Sequence, residues 1–117
     1  MLFQKGSIVK LHPCSLFYLK KSKEAFLCNK VLFAASKRHL RSAVQRNKVK
    51  RLLREAYRTN KYILDDALDR THSKFVFLIG YVYNGKEEEI HYPILKGAVI
   101  RSLQHFSALV DKEELSA

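Results

Sequence analysis

A two-layer α+β sandwich is the fold this sequence predicts, and three observations predict it. Apolar, β-branched segments come first. An amphipathic helical repeat with a marked start follows. A long apolar strand then precedes a second helical repeat. The chain has 117 residues, 47% of them apolar, which suits one domain over 1–117 with a core of its own.

The elements are justified in chain order. Residues 7–19 (SIVKLHPCSLFYL) are rich enough in β-branched and aromatic residues for one or two extended segments, and Pro13 marks an edge or irregularity. Residues 20–24 (KKSKE) read as a polar turn. Residues 25–35 (AFLCNKVLFAA) read as a buried strand running into a basic segment. Ser42 with Gln45 three residues on predicts a capping box and a helix start. Past that point Val49, Leu52, Leu53, Ala56 and Tyr57 share one side, while Asn47, Lys50, Arg51, Arg54 and Arg58 share another. Arg46 falls beside the apolar stripe, where helix and sheet should meet. Glu55 has helical spacing to Arg51 and Arg58.

Residues 65–72 read as a polar connection, and 74–84 (KFVFLIGYVYN) as a central strand, apolar on both faces. Asn84 and Gly85 predict a turn, and Glu87, Glu88 and Glu89 a solvated edge. From about 94 to 110, Leu95, Ala98, Val99, Leu103, Phe106 and Val110 recur at helical spacing.

Composition narrows the function classes. No apolar run approaches the roughly 18 residues of a membrane span, and Lys5, Gly6 and Lys10 break up the apolar start. A cytoplasmic protein is the expectation. Cys14 and Cys28 form no CxxC and read as reduced thiols, and His12, His39, His72, His91 and His105 are scattered, so no metal site is predicted.

Charge is the most specific signal. Between Lys37 and Lys61 stand ten lysines or arginines against one acid, Glu55, about +9 of the chain's +11. Residues 1–36 add about +5 and residues 62–117 about −3. Concentrated positive charge repels itself unless a polyanion neutralises it, and arginine forks suit phosphate, so nucleic acid is the expected partner. Phe3, Phe17 and Tyr18 could stack on unpaired bases or simply pack in the core. The adjacent Asp65 and Asp66 would serve a metal-dependent nuclease only with further carboxylates beside them, and no local pattern suggests a nucleophile–base pair. Charge and composition thus leave a general structured-RNA binding module or a protein-only nuclease as readings.

Residues 43–58, AVQRNKVKRLLREAYR, resemble the A-V-x-R-N-x-x-K-R-x-x-R-E-x-[FY]-R signature of the bacterial ribonuclease P protein subunit. Ala35, Ser36, Lys37 and Arg38 are similar to that family's Ser-Lys-Lys strand end, and Asn60, Lys61 and the strand at 74–84 resemble its Bacteroidetes-like variant. The resemblance implies a mixed sheet of about four strands with helices packed on it and a left-handed β-α-β crossover. It implies a protein that assists a catalytic RNA, which removes the 5′ leader of precursor tRNA with Mg2+ bound mainly by RNA. Carried over position by position, Lys37, Arg38, Arg41, Arg46, Asn47, Lys50, Arg51, Arg54 and Arg58 match the RNA-contacting set, and Phe3 and Phe17 the leader cleft. Members of that family usually begin with a basic helix longer than the residues ahead of Phe3 here, so the expectation is either a first helix truncated at its start or a cleft that has lost one wall.

Overall fold

The computed structural model describes residues 7–22, 30–70 and 75–116. Strands β1 (Ser7–Leu11) and β2 (Cys14–Ser22) pair antiparallel around a tight turn at His12–Pro13. Strand β3 is Lys30–Ala35, and two helices follow, α1 (Ala43–Asn60) and α2 (Tyr62–Arg70). Strand β4 (Phe75–Tyr83), a 3-10 turn (Glu87–Glu89) and the long helix α3 (Tyr92–Ser116) complete the order. The sheet runs β1-β2-β4-β3, with β2 antiparallel and β3 parallel to β4. The four-stranded mixed sheet with helices packed on it is therefore as expected, and α1 with α2 forms the crossover between its parallel strands.

Strand alternation divides the sheet into two faces. Leu16, Phe77, Ile79, Tyr81 and Tyr83 point into the core with the half-buried Val31 and Phe33. Helix α1 contributes Val49, Leu53 and Ala56 to that core, as its stripe predicted, and α3 contributes Leu95, Ala98, Val99, Leu103, Phe106 and Val110. Aromatic rings join the layers. Phe33 stacks on Tyr81 at 5.6 Å and meets Tyr57 of α1 at 6.1 Å, while Phe106 of α3 stacks on Phe77 at 5.5 Å. Such pairs add to area burial through their quadrupoles. The buried Tyr81 and Ser102 hydroxyls satisfy each other at 2.6 Å.

The predicted turn after β4 is tightly built. Asn84 N–H donates to Pro13 O at 2.8 Å, and a Cβ added at Gly85 would lie 2.8 Å from Pro13 Cβ and 2.6 Å from Tyr83 Oη. Only glycine fits that approach without a shift.

Several expectations are corrected. Of the polar connection expected at 65–72, residues 65–70 are helix, because Leu64, Ala67 and Leu68 make a buried stripe beneath the exposed Asp66 and Asp69, and 71–72 lie outside the described residues. Arg70 then ties α2 to α3 through Asp111, at 2.8 and 3.1 Å. The lysines at 20 and 21 are not in a turn, since β2 continues to Ser22 opposite Phe75. Of the strand expected at 25–35, residues 30–35 are strand, and 25–29 lie outside the described residues. It is an edge strand, half covered rather than buried, with Leu32 50% exposed. Helix α3 starts two residues before the predicted position and continues to Ser116.

Candidate nucleic-acid interface

The cationic side of the molecule is built from the β3–α1 connection and the outer face of α1. At the end of β3, Ser36 N–H donates to Tyr83 O at 3.1 Å, continuing the parallel ladder by one residue. Ser36 O then accepts from the His39 and Leu40 N–H groups, and Ser36 Oγ accepts from Arg38 N–H at 3.2 Å. A serine hydroxyl closing its own turn is a common local motif. Here it turns Lys37 and Arg38 outward, both exposed, while Leu40 is buried beneath them.

Helix α1 starts where the sequence marks it. Ser42 is the N-cap, and its side chain accepts from Gln45 N–H at 3.4 Å. The other half of the expected capping box is absent. Gln45 Nε2 instead donates to Glu87 Oε1 at 3.1 Å, across the gap to the 3-10 turn. The bond to the carboxylate is charge-assisted and turns the Gln45 amide toward Glu87 rather than back over Ser42.

Along α1, Asn47, Arg51, Arg54 and Arg58 are exposed and Lys50 is half-buried. Arg41 is exposed just ahead of the helix. Exposed Lys48 and Lys61, neither of them in the RNA-contacting set expected from the sequence, join the same charged surface. The Arg54 guanidinium lies over the Phe33 ring, 5.7 Å from its centroid. A cation–π contact of this kind holds the planar group while its N–H edges stay available. Glu55 pairs with Arg58, at 2.6 and 3.2 Å, and this bonding holds the Glu55 carboxyl below its ordinary range.

Arg46 is placed differently from the rest. It is half-buried, and its Nη1 donates to Leu40 O and Arg41 O, both at 2.8 Å. The sequence put Arg46 at the seam between helix and sheet. Its bonds go to the connection ahead of the helix, and there it fastens the segment carrying Lys37, Arg38 and Arg41 onto α1. Two clefts open on this side. One of about 360 Å³ lies among Arg38, His39, Arg41, Ser42, Gln45 and Glu87. The other, about 410 Å³, lies among Val44, Asn47, Lys48 and Arg51, with Val44 76% exposed.

The sheet face away from the helices carries a second set. The strand register aligns Ile8, Phe17, Gly80 and Leu32 in one row across all four strands. Ile8 and Leu32 are exposed and Phe17 is half-buried. Exposed Lys10 and Lys30 each stand two residues along their strands from this row, on the same face. Sequence reading found Phe17 but neither lysine, because only the register brings them to it. Phe3 lies outside the described residues. Tyr18 faces the other way and packs on Phe106 at 5.0 Å, so of its two readings core packing holds.

Asp65 is half-buried and Asp66 exposed, on different sides of α2. Among the described residues, no three or more His, Cys, Asp or Glu side chains gather where they could hold a metal ion. No helix among them is long and apolar enough to cross a membrane.

These features define a class: a small basic α+β protein that presents a crossover helix, and the turn leading into it, as a cationic surface. The chain belongs to the ribonuclease P family, whose sequence profile, described as Ribonuclease P, matches residues 1–90. It is similar to the ribonuclease P protein component of Porphyromonas gingivalis, 39% identical over 67 residues, which is 57% of this chain and 49% of that protein. It is also similar to the component of Chlorobium phaeobacteroides, 45% identical over 65 residues, 51% of this chain and 43% of that protein. The chain thus spans about half the length of the curated relatives it matches. Its fold resembles the RNase P protein of Thermotoga maritima, solved in complex with 1-(4-fluorophenyl)-2-thiourea. There the TM-score is 0.66 at 19% identity, over 88% of each chain. The Staphylococcus aureus RNase P protein gives a TM-score of 0.55 at 18% identity, over 92% of this chain and 84% of that one.

Proposed function

We propose that this chain acts as the protein component of ribonuclease P, docking on a catalytic RNA and assisting removal of the 5′ leader from precursor tRNA. The observation that carries the reading is the nearly uncompensated cationic strip. Lys37, Arg38, Arg41, Asn47, Arg51, Arg54 and Arg58 are exposed together, Lys50 is half-buried beside them, and Glu55 supplies the one acid within that stretch of sequence. A strip of this charge and length suits a folded RNA backbone. Arg46 contributes by holding the connection in place, so its role in docking is positional.

The sheet face away from α1 and α3 supports the second half of the reading. A single-stranded leader needs a ring on which an unpaired base can stack and cations that follow its phosphates. Phe17 with Ile8 and Leu32 offers the apolar row, and Lys10 and Lys30 flank it. In this reading the magnesium ions that drive hydrolysis sit on the RNA. The protein's side chains bind and orient, and no step of the chemistry is assigned to them.

The test is cleavage of a precursor tRNA at limiting magnesium by a bacterial ribonuclease P RNA alone, by this protein alone, and by both together. Correct 5′ maturation in the mixture, well above RNA alone, is the expected result. Cleavage by the protein alone, abolished in Asp65→Asn or Asp66→Asn, would replace this reading with a protein nuclease. Tight RNA binding without stimulation would reduce it to a structured-RNA binding module.

A further inference from the structure

Val44, Asn47, Lys48 and Arg51 stand at i, i+3, i+4 and i+7 of α1, so they share one outward side of the helix and together line the cleft of about 410 Å³. The cleft is chemically mixed. Val44 is 76% exposed within a strip of charged residues. Neither packing nor helix propensity explains a valine there, since it buries little and its branched Cβ is stiff in a helix. The exposed Asn47 amide has no hydrogen-bond partner among the described residues. Glu55 is the acid at helical spacing to Arg51, yet both its oxygens go to Arg58, at 2.6 and 3.2 Å. The Arg51 guanidinium is therefore left without an ion pair among the described residues, on the same side as the exposed Lys48.

We infer that this cleft binds one unpaired nucleobase of the docked RNA, with Val44 and Asn47 as the residues that recognise it. This rests on the proposed RNA-docking role of α1 and adds a base contact to a strip that otherwise holds phosphates. The Asn47 carboxamide sets a donor beside an acceptor, which matches the adjacent donor and acceptor on the edge of an unpaired base. The Val44 methyls offer the base an apolar surface, and Lys48 and Arg51 can engage the phosphates on either side of it. A base held inside an A-form duplex cannot enter, because its edge is either paired or sunk in a groove too deep and narrow for side chains. Phosphate contacts carry no sequence information. One base site among them separates a folded RNA that presents an unpaired nucleotide at this position from a polyanion that merely fits the strip.

The experiment measures dissociation constants over a series of salt concentrations for a bacterial ribonuclease P RNA and for a fully base-paired RNA duplex, which offers phosphates but no unpaired base. It compares the unaltered protein with Val44→Ser, Asn47→Ala and the two combined. Both positions are exposed and neither substitution changes the net charge; circular dichroism confirms the fold. The combined variant should bind ribonuclease P RNA about tenfold more weakly, the scale of one bidentate base contact. Its slope of log K against log salt should be unaltered, because no cation is lost, and its affinity for the duplex should not move. Equal weakening on both RNAs would make the contact one to the backbone and overturn the inference, as would unchanged affinity for ribonuclease P RNA. If the unaltered protein binds ribonuclease P RNA no more tightly than the duplex, the docking reading itself fails and takes the inference with it.

Discussion

Arg46 marks the difference between a residue that matches a motif and a residue whose place in the fold is known. Family matching puts it with the phosphate-binding arginines, yet its Nη1 is committed to two backbone carbonyls of the connection ahead of α1. Arg46→Ala leaves those carbonyls without their cationic donor and should cost about 1–3 kcal/mol in urea denaturation. RNA affinity should fall as well, because Lys37, Arg38 and Arg41 lose their fixed position. Unchanged stability with weakened RNA binding would show that Arg46 acts as a contact instead. Cys14 gives a second test at this scale. Burial pushes its thiol up to about 12, so at neutral pH essentially no thiolate exists. Iodoacetamide should label Cys14 at least tenfold more slowly in the native protein than in urea, read by mass spectrometry. Equal rates would mean that the β2–β4 core opens readily.

Among the elements, α1 was the most legible in sequence, since one helix carries both a core stripe and a charge stripe. Leu53 is fully buried on the core side, and Leu53→Ala should cost about 2–5 kcal/mol in urea denaturation. A loss below 1 kcal/mol would mean that the stripe does not pack as described. Helix α2 was not legible. Three aspartates among nine residues look like a connection until α3 supplies the surface that buries Leu64, Ala67 and Leu68. Strand β3 was legible as a strand but not as an edge, because its apolar run is set by the core on one face and left open on the other. The row Ile8, Phe17, Gly80 and Leu32 could not be read at all, since cross-strand register is a tertiary property. That row carries its own prediction. Phe17→Ala should weaken binding of leader-bearing precursor tRNA several-fold, consistent with the loss of one stacked base. Leaderless tRNA should be unaffected, with both measured on the assembled complex. Equal losses for both would remove the Phe17 face of the sheet from leader binding.

At the scale of the molecule, charge and fold divide the work. The helices shield one face of the sheet with an apolar core and turn the excess of the +11 charge outward along α1. Self-repulsion in such a strip is a standing cost to stability unless a polyanion neutralises it. The acidic turn after β4 meets the start of α1 where Gln45 donates to Glu87, and the Phe17 face of the sheet lies on the side away from α1 and α3. The central claim is that the α1 strip is the RNA-docking surface. Its most direct test is the salt dependence of binding to a bacterial ribonuclease P RNA, for the unaltered protein and for a triple variant, Arg51→Ala with Arg54→Ala and Arg58→Ala. Each phosphate contact contributes about 0.7–0.9 to the slope of log K against log salt, so the variant should bind more weakly with a slope shallower by roughly 2. An unchanged slope and affinity would contradict the account.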